Sequence, residues 1–477
     1  MTLLETFEDL VHMWRDVFPQ RRSFDRARRL IFGLTVCLRA HLTTNAICAV
    51  GRQFLDWSGD YRLLSRSPWN PHQLFDPVFD RVRPLLKPDL APVLMPLDDT
   101  LCKKSGRKIP GVTTLRDPQS PPFHVNLIPG LRFVQASLLV TPQSAGPARA
   151  LPVRFEPAPL PAKPKKNATD EQKQLYTQQK KALCLSTVGV AVISSVRQSL
   201  DQFPDTKARQ LIALVDGSYT NQNVLKHLPD RTTLIGRIRR DAKLNESLPA
   251  QSRGPRRYGP QASTPEQVLK DESIATQSIR CFIAGSVQEI KVKSIAPLFW
   301  RKAGPDRPLR LVVIKPLGYR LTKSSKLLYR QPAFLICTDI HLDLKSLVQA
   351  YIYRWEIECN HRDEKSLLGV AQGQVRSPQA VSRLPQLQVA GYSLLLLAAL
   401  LTYGFDRGDH FLPLPKWRRK KPFRPSALDL QNLLRSFLFE RCSHSPTNTD
   451  DFTSPQQLNT KYPCLNITER HIAFPTA

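Results

Sequence analysis

Four side chains of complementary chemistry stand at helical spacing late in the chain: Tyr351, Arg354, Glu358 and Lys365. They lie in residues 344–366, LKSLVQAYIYRWEIECNHRDEKS, a stretch with neither proline nor glycine and with apolar residues at helical intervals. The spacing predicts one long helix. At about 100° per residue, Arg354, Glu358 and Lys365 fall within roughly 60° of Tyr351, in one narrow stripe. Leu344, Val348, Ile352, Trp355 and Cys359 fall on an adjacent stripe suited to packing against a core. A phenol, a guanidinium, a carboxylate and an ammonium side by side suit a site that holds a metal ion and handles phosphates. The same pattern also suits a solvated charged face.

Two further acids stand at the ends of predicted core strands. Residues 93–97 form a short apolar run, with Pro96 inside it, that leads into Asp98-Asp99-Thr100. Residues 211–215, LIALV, read as a strand buried on both faces and end at Asp216-Gly217. In α/β sheets functional groups gather at the carboxyl ends of strands. Asp99 and Asp216, joined by Glu358 from the helix, would make a set of three carboxylates. Such a set repels itself unless cations neutralise it. Oxygen-only ligands suit Mg²⁺ or Mn²⁺ rather than zinc, and a pair of such ions about 3.5–4 Å apart supports phosphoryl transfer. Taken singly, each Asp also reads as an ordinary turn or cap residue.

The rest of the chain must position these groups. Residues 1–90 read as mostly helical and carry Arg21, Arg22, Arg26, Arg28, Arg29, Arg39, Arg52, Arg62 and Arg66. A small DNA-binding domain and a plain helical bundle with a basic surface are both open. From 91 the pattern turns to strands, and a basic loop (Lys103, Lys104, Arg107, Lys108) follows the first one. Residues 123–128 and 131–140 read as two strands joined by a turn at Pro129-Gly130. The proline-rich stretch 141–166 reads as an extended loop. A helix is expected to start at Thr169, with Gln172 in the capping-box position, and to run on, with a break, through 188–200. A short helix at 221–228 and a strand at 233–238 complete this part.

Residues 240–340 open with a Gly/Pro/Arg-rich loop at 252–260 and then read as a mainly β insertion, with strands at 278–284, 287–295, 309–315 and 333–338. The apolar run 389–401 is about 13 residues, short of the roughly 20 needed to span a bilayer, and reads as a buried helix. The tail from 406 is basic, with Arg418, Arg419, Lys420 and Lys421 around Trp417 and Phe423, and one helix is expected at 427–439.

Composition narrows the function. Lys and Arg number 69 against 40 Asp and Glu, a formal charge of +29. An excess of that size implies a polyanionic partner, most simply nucleic acid, with an anionic membrane surface as the alternative. The nine cysteines are scattered without a C-x-x-C pair, which argues against a zinc ribbon and fits a reducing cytoplasm. The acidic N-terminus, MTLLETFEDL, is unlike a secretory signal.

With these residues in view, Tyr351-x2-Arg354-x3-Glu358-x6-Lys365 resembles the Tyr-x2-Arg-x3-Glu-x6-Lys (YREK) motif of bacterial insertion-sequence DDE transposases. Trp355 directly after Arg354 and Ile357 before Glu358 strengthen the match, as does the order of Asp99-Thr100, Asp216, a β-rich insertion and a Glu helix. The resemblance spans about residues 90–400. It implies an α/β fold with an RNase H-like catalytic core (91–239 and 341–405) interrupted by the β insertion (240–340). An N-terminal helical domain (1–90) and a basic C-terminal region (406–477) flank it.

It further implies that Asp99, Asp216 and Glu358 bind two Mg²⁺ or Mn²⁺ ions. Asp99 is chosen over Asp98 because it directly precedes the threonine. Tyr351, Arg354 and Lys365 would contact DNA, and Trp300 is the candidate aromatic platform for a flipped base, or else a core tryptophan of the insertion. The implied activity is cut-and-paste transposition: cleavage at terminal inverted repeats, in some members through a hairpin, then strand transfer into target DNA. It would be carried out by a homodimer at the bacterial nucleoid in the cytoplasm. The alternatives are a transposase-derived DNA-binding regulator without strand transfer, and an RNase H-like nuclease.

Overall fold

The structure is a computed structural model that describes residues 1–444, apart from 87–90, 107, 118–119, 122, 162, 249–256, 322–323 and 419–420; from residue 439 on, only the backbone is described. Arg107, most of the expected loop at 252–260, Arg419, Lys420 and the end of the basic tail therefore lie outside the described residues.

Five helices open the chain: α1 (Leu3–His12), α2 (Arg21–Val36), α3 (Thr43–Ala49), α4 (Ser58–Ser65) and α5 (Asp76–Val82). Thr2 and Glu5 form a capping box that satisfies the first free N–H groups of α1. A mixed sheet follows. Strands β1 (Val93–Lys103), β2 (Thr113–Arg116), β3 (Leu127–Val140) and β4 (Arg149–Pro157) form an antiparallel set in which β3 pairs with β1 on one side and with β2 and β4 on the other. Helices α6 (Asp170–Ala182), α7 (Leu185–Asp201) and α8 (Pro204–Lys207) lead to β5 (Leu211–Val215). Strand β5 lies parallel to β1. After α9 (Gln222–Lys226), β6 (Thr232–Arg237) lies parallel to β5.

Helix α10 (Pro265–Lys270) and strands β7 (Gln277–Ile283), β8 (Ser286–Leu298) and β9 (Leu309–Ile314) come next. A small β10–β11 ribbon (Gly318–Tyr319, Leu328–Tyr329) precedes β12 (Ala333–Cys337). The sheet order is β2-β3-β1-β5-β6-β12-β9-β8-β7, so the strands of 240–340 extend the central sheet through the antiparallel β12–β6 pair. Helices α11 (Leu344–Tyr353), α12 (Glu356–Leu367), α13 (Pro378–Tyr403) and α14 (Ala427–His444) complete the fold.

Strand alternation divides the core. On one face Val93, Met95 and Leu97 of β1 and Leu211, Ala213 and Val215 of β5 join Val192 and Ile193 of α7 and the N-terminal helices. On the other, Ile212 and Leu214 of β5 pack with Leu344, Leu347 and Val348 of α11, and Leu94 of β1 leans on this second cluster. Each fully buried Leu or Val stabilises by roughly 1.5–3 kcal/mol. Helix α13 contains the expected 389–401 run. It is long and apolar enough to cross a bilayer, but it is almost wholly buried inside the protein.

Several expectations change. The predicted turn at Pro129-Gly130 is the interior of the continuous strand β3. A Cβ on Gly130 would meet Leu101 at 2.7 Å, so the glycine serves the close approach of β3 to β1 and not a reversal. The proline-rich stretch 141–166 contains β4. Its Pro152 sits where the β3–β4 register shifts, a place that tolerates a missing N–H. Pro96 lies within β1 where only β5 is paired, since pairing with β3 starts at Leu97. The capping box at Thr169 and Gln172 forms as expected.

Candidate active site

Sequence places Asp98 and Asp99 at a strand end, but β1 continues to Lys103 and holds both inside it. Consecutive strand residues point to opposite faces, so only one of them can face α11 and α12. That one is Asp98, which shares its parity with Leu94. The parallel register sets Leu97 beside Val215, and one step further it sets Asp98 beside Asp216. By strand alternation Asp98 lies on the α11 face of β1, and Asp216 directly follows the last residue of the parallel strand β5. Asp216 leaves β5 in a tight turn in which its carboxylate accepts from the Ser218 N–H (2.8 Å) and hydroxyl (3.2 Å).

Arg354 joins Glu358 to this pair. Its Nη2 donates to Glu358 Oε1 at 3.0 Å and its Nη1 lies 3.5 Å from Asp98 Oδ2. Burial, reinforced by the negative charge of Asp216, pushes the Asp98 carboxyl up to about 7, against the pull of Arg354. For Arg354 burial works against its charge, yet Tyr351, Asp98 and Glu358 together hold its pKa above the usual value. Its guanidinium carbon also lies 5.6 Å from the Tyr351 ring centroid. Burial raises the Tyr351 phenol, opposed by the positive charges of Arg354 and Arg237.

Arg237, exposed at the end of β6, belongs to this neighbourhood and was not singled out from sequence. The available signal was its place at the end of the strand next to Asp216's.

Asp99 points the other way. Its Oδ1 accepts from the buried Tyr219 hydroxyl at 3.3 Å, and its Oδ2 lies 3.5 Å from Arg132 Nε. Burial raises its carboxyl, and Arg132 offsets that. The structure thus brings Asp98, not Asp99, to the Arg354–Glu358 pair; Asp99 ties the Asp216–Tyr219 turn to β1 and β3.

The long helix predicted over 344–366 is two helices. At Arg354 and Trp355 the backbone tightens, with Trp355 N–H bonding to Ile352 O, Ile357 to Arg354 O and Glu358 to Trp355 O. These three-residue spacings overwind the turn and shift α12 against α11. Trp355 consequently leaves the apolar stripe and is 60% exposed. It lines a cavity of about 800 Å³ together with Tyr351, Arg354, Phe282, Phe423 and Arg424; the three carboxylates lie outside that lining. Arg424 fixes the C-terminal segment at this cavity through Glu356 and the Ala148 carbonyl.

Lys365 lies farther along α12, where its charge acts on His361, Glu364 and Cys102. Trp300 follows β8, packs partly buried against the main core and has Lys302 Nζ 5.3 Å from its ring centroid. Lys104, expected in a basic loop, is buried and donates to the Ala371 and Gly373 carbonyls at 2.7 and 2.8 Å.

Among the described residues no three Asp, Glu, His or Cys side chains are gathered closely enough to hold one metal ion. The donor set nevertheless fits a hard cation. Two carboxylates stand abreast, a third is drawn toward them, and a guanidinium cation bridges the third to one of the pair.

Comparison with known proteins agrees with this chemistry. No curated protein matches the chain. The family model described as DDE superfamily endonuclease matches residues 16–294, a span that holds Asp98, Asp99 and Asp216 and ends before Glu358. Members of that family act on DNA and generally use divalent metal ions. With more than half of its length matched, this mixed α/β chain belongs to the DDE superfamily endonucleases.

Proposed function

We propose that the protein is a DNA transposase whose metal-binding acids are Asp98, Asp216 and Glu358, on an RNase H-like core. The observation that carries this reading is the placement of Asp98 on β1 next to Asp216, which directly follows the parallel strand β5, with Glu358 joined to Asp98 through Arg354. The order β4-β3-β1-β5-β6 supports the fold: three antiparallel strands, then two parallel to β1. Asp98 replaces Asp99 in the acid set because only its face is turned to α11 and α12.

Mg²⁺ or Mn²⁺ held by these oxygens would supply charge stabilisation and an activated nucleophile for phosphoryl transfer. The chain's own part is to orient the DNA. Tyr351, Arg354 and Arg237 offer a phenol and two cations beside the acids, and Lys365 extends the basic surface along α12. The aromatic and basic cavity at Trp355 gives displaced nucleotides a surface to stack on. The charge of +29 suits a polyanionic substrate, and pairing of two transposon ends calls for a homodimer.

The test is cleavage of DNA carrying the inverted repeats that flank the gene. With Mg²⁺ or Mn²⁺ the protein nicks at the repeat ends, and Asp98→Asn or Glu358→Gln abolishes nicking while end binding persists. Binding without any nicking by the wild-type protein would instead make it a regulator, and nicking without end preference a general nuclease.

A further inference from the structure

One guanidinium, that of Arg354, lies between two of the three acids assigned above to metal binding. Its two terminal nitrogens are divided between them, Nη2 at 3.0 Å from Glu358 and Nη1 at 3.5 Å from Asp98. The side chain is only 13% exposed, and its third nitrogen, Nε, is buried without a hydrogen-bond partner among the described residues. Among the described residues its ion-pair partners are these two acids, and the Tyr351 ring flanks it. Arg354 also sits at the junction of α11 and α12, where the hydrogen-bond ladder changes spacing, and not inside a continuous helix.

A divalent ion and a guanidinium compete for the same carboxylate oxygens, and each repels the other. In the structure the guanidinium holds the Asp98 and Glu358 oxygens that a metal would need, and Asp98 and Asp216 repel each other unless a cation neutralises them. A DNA phosphate offers the planar guanidinium an anionic, bidentate partner like the carboxylates.

Resting on the metal-site reading above, we propose that Arg354 is an exchangeable counter-ion. Without DNA it neutralises Asp98 and Glu358 and keeps divalent ions out. A DNA phosphate draws it off, and the freed carboxylates then take the metal. Metal and DNA binding consequently reinforce each other, and by linkage each strengthens the other by the same factor. The chain is thereby kept from loading metal, and from hydrolytic chemistry, until a DNA backbone is in place.

The experiment is Mn²⁺ titration by calorimetry of the full-length wild type, Arg354→Gln and the double variant Asp98→Asn/Glu358→Gln. Each is measured alone and with a random-sequence DNA duplex, which suffices because backbone contacts carry no sequence information. Melting curves confirm that each variant is folded. In the wild type the duplex tightens Mn²⁺ binding by about tenfold or more, within the usual range of site-to-site coupling. Arg354→Gln binds Mn²⁺ about tenfold more tightly than wild type without DNA, and the duplex adds little further. Equal tightening by DNA in wild type and Arg354→Gln, or no gain in the variant alone, overturns the counter-ion role while leaving the acids as metal ligands. Undiminished Mn²⁺ binding by the double variant overturns the metal-site reading itself.

Discussion

Glu364 offers a sharp physical test of how α12 is seated. It is 1% exposed, and among the described residues neither carboxyl oxygen has a hydrogen-bond partner within normal distance. Burial pushes its carboxyl up to about 8, only partly offset by the Gln135 amide and the Lys365 charge. Gln135 Oε1 is itself a buried acceptor without a donor among the described residues, so a protonated Glu364 suits this pocket. The folded-state pKa is raised, so the fold takes up a proton. The associated stability is complete below the unfolded value of 4.5 and is lost as pH rises through about 8.

At about 1.4 kcal/mol per unit, raising the pH from about 5 to about 9 removes ~4 kcal/mol through this group alone. Glu364→Gln has the same shape and no proton to lose, so it escapes that loss. Urea denaturation of both proteins at both pH values reads the difference. The variant is about as stable as wild type near pH 5 and gains ~4 kcal/mol on it by about pH 9. A stability difference that stays constant with pH to within about 1 kcal/mol would show that Glu364 is not held neutral and refute the reasoning. The assay reaches the site because Glu364 and Glu358 share α12.

Other outcomes follow from the same geometry. Asp98→Asn reduces metal-dependent cleavage by at least about 10²-fold without loss of stability, since it relieves repulsion with Asp216. Asp99→Asn instead costs about 1–3 kcal/mol by weakening the Arg132 and Tyr219 contacts, as read by thermal melting. Trp355→Ala leaves stability within about 0.5 kcal/mol but weakens binding of single-stranded DNA by about 1–3 kcal/mol in fluorescence titrations, whereas Trp300→Ala costs at least about 2 kcal/mol of stability. Lys104→Met leaves two carbonyls unpaired and costs about 2–3 kcal/mol, with no change in DNA affinity by filter binding.

The sequence carried most of the fold wherever a local rule sufficed. LIALV became a strand buried at every position, and Thr169 with Gln172 closed its capping box, because continuous apolarity and capping chemistry are local signals. The misses share a cause: each depended on a neighbour distant in sequence. Gly130 reads as a turn until Leu101 of β1 is seen against it. Arg354 and Trp355 carry no helix-breaking residue, so the break between α11 and α12, which exposes Trp355, left no trace in the spacing. The choice between Asp98 and Asp99 is the sharpest case. Adjacency to a threonine says nothing about which face of β1 is covered by α11. That is decided by strand alternation and by the helix's apolar contacts with Ile212 and Leu214, which put Asp98 on the face that α11 covers, next to where Asp216 follows β5. The stripe on the helix survives the break in modified form. Tyr351, Arg354 and Glu358 still converge, but they do so around a guanidinium already engaged with the acids, and under the proposed metal site that group would have to release the carboxylates before gripping DNA.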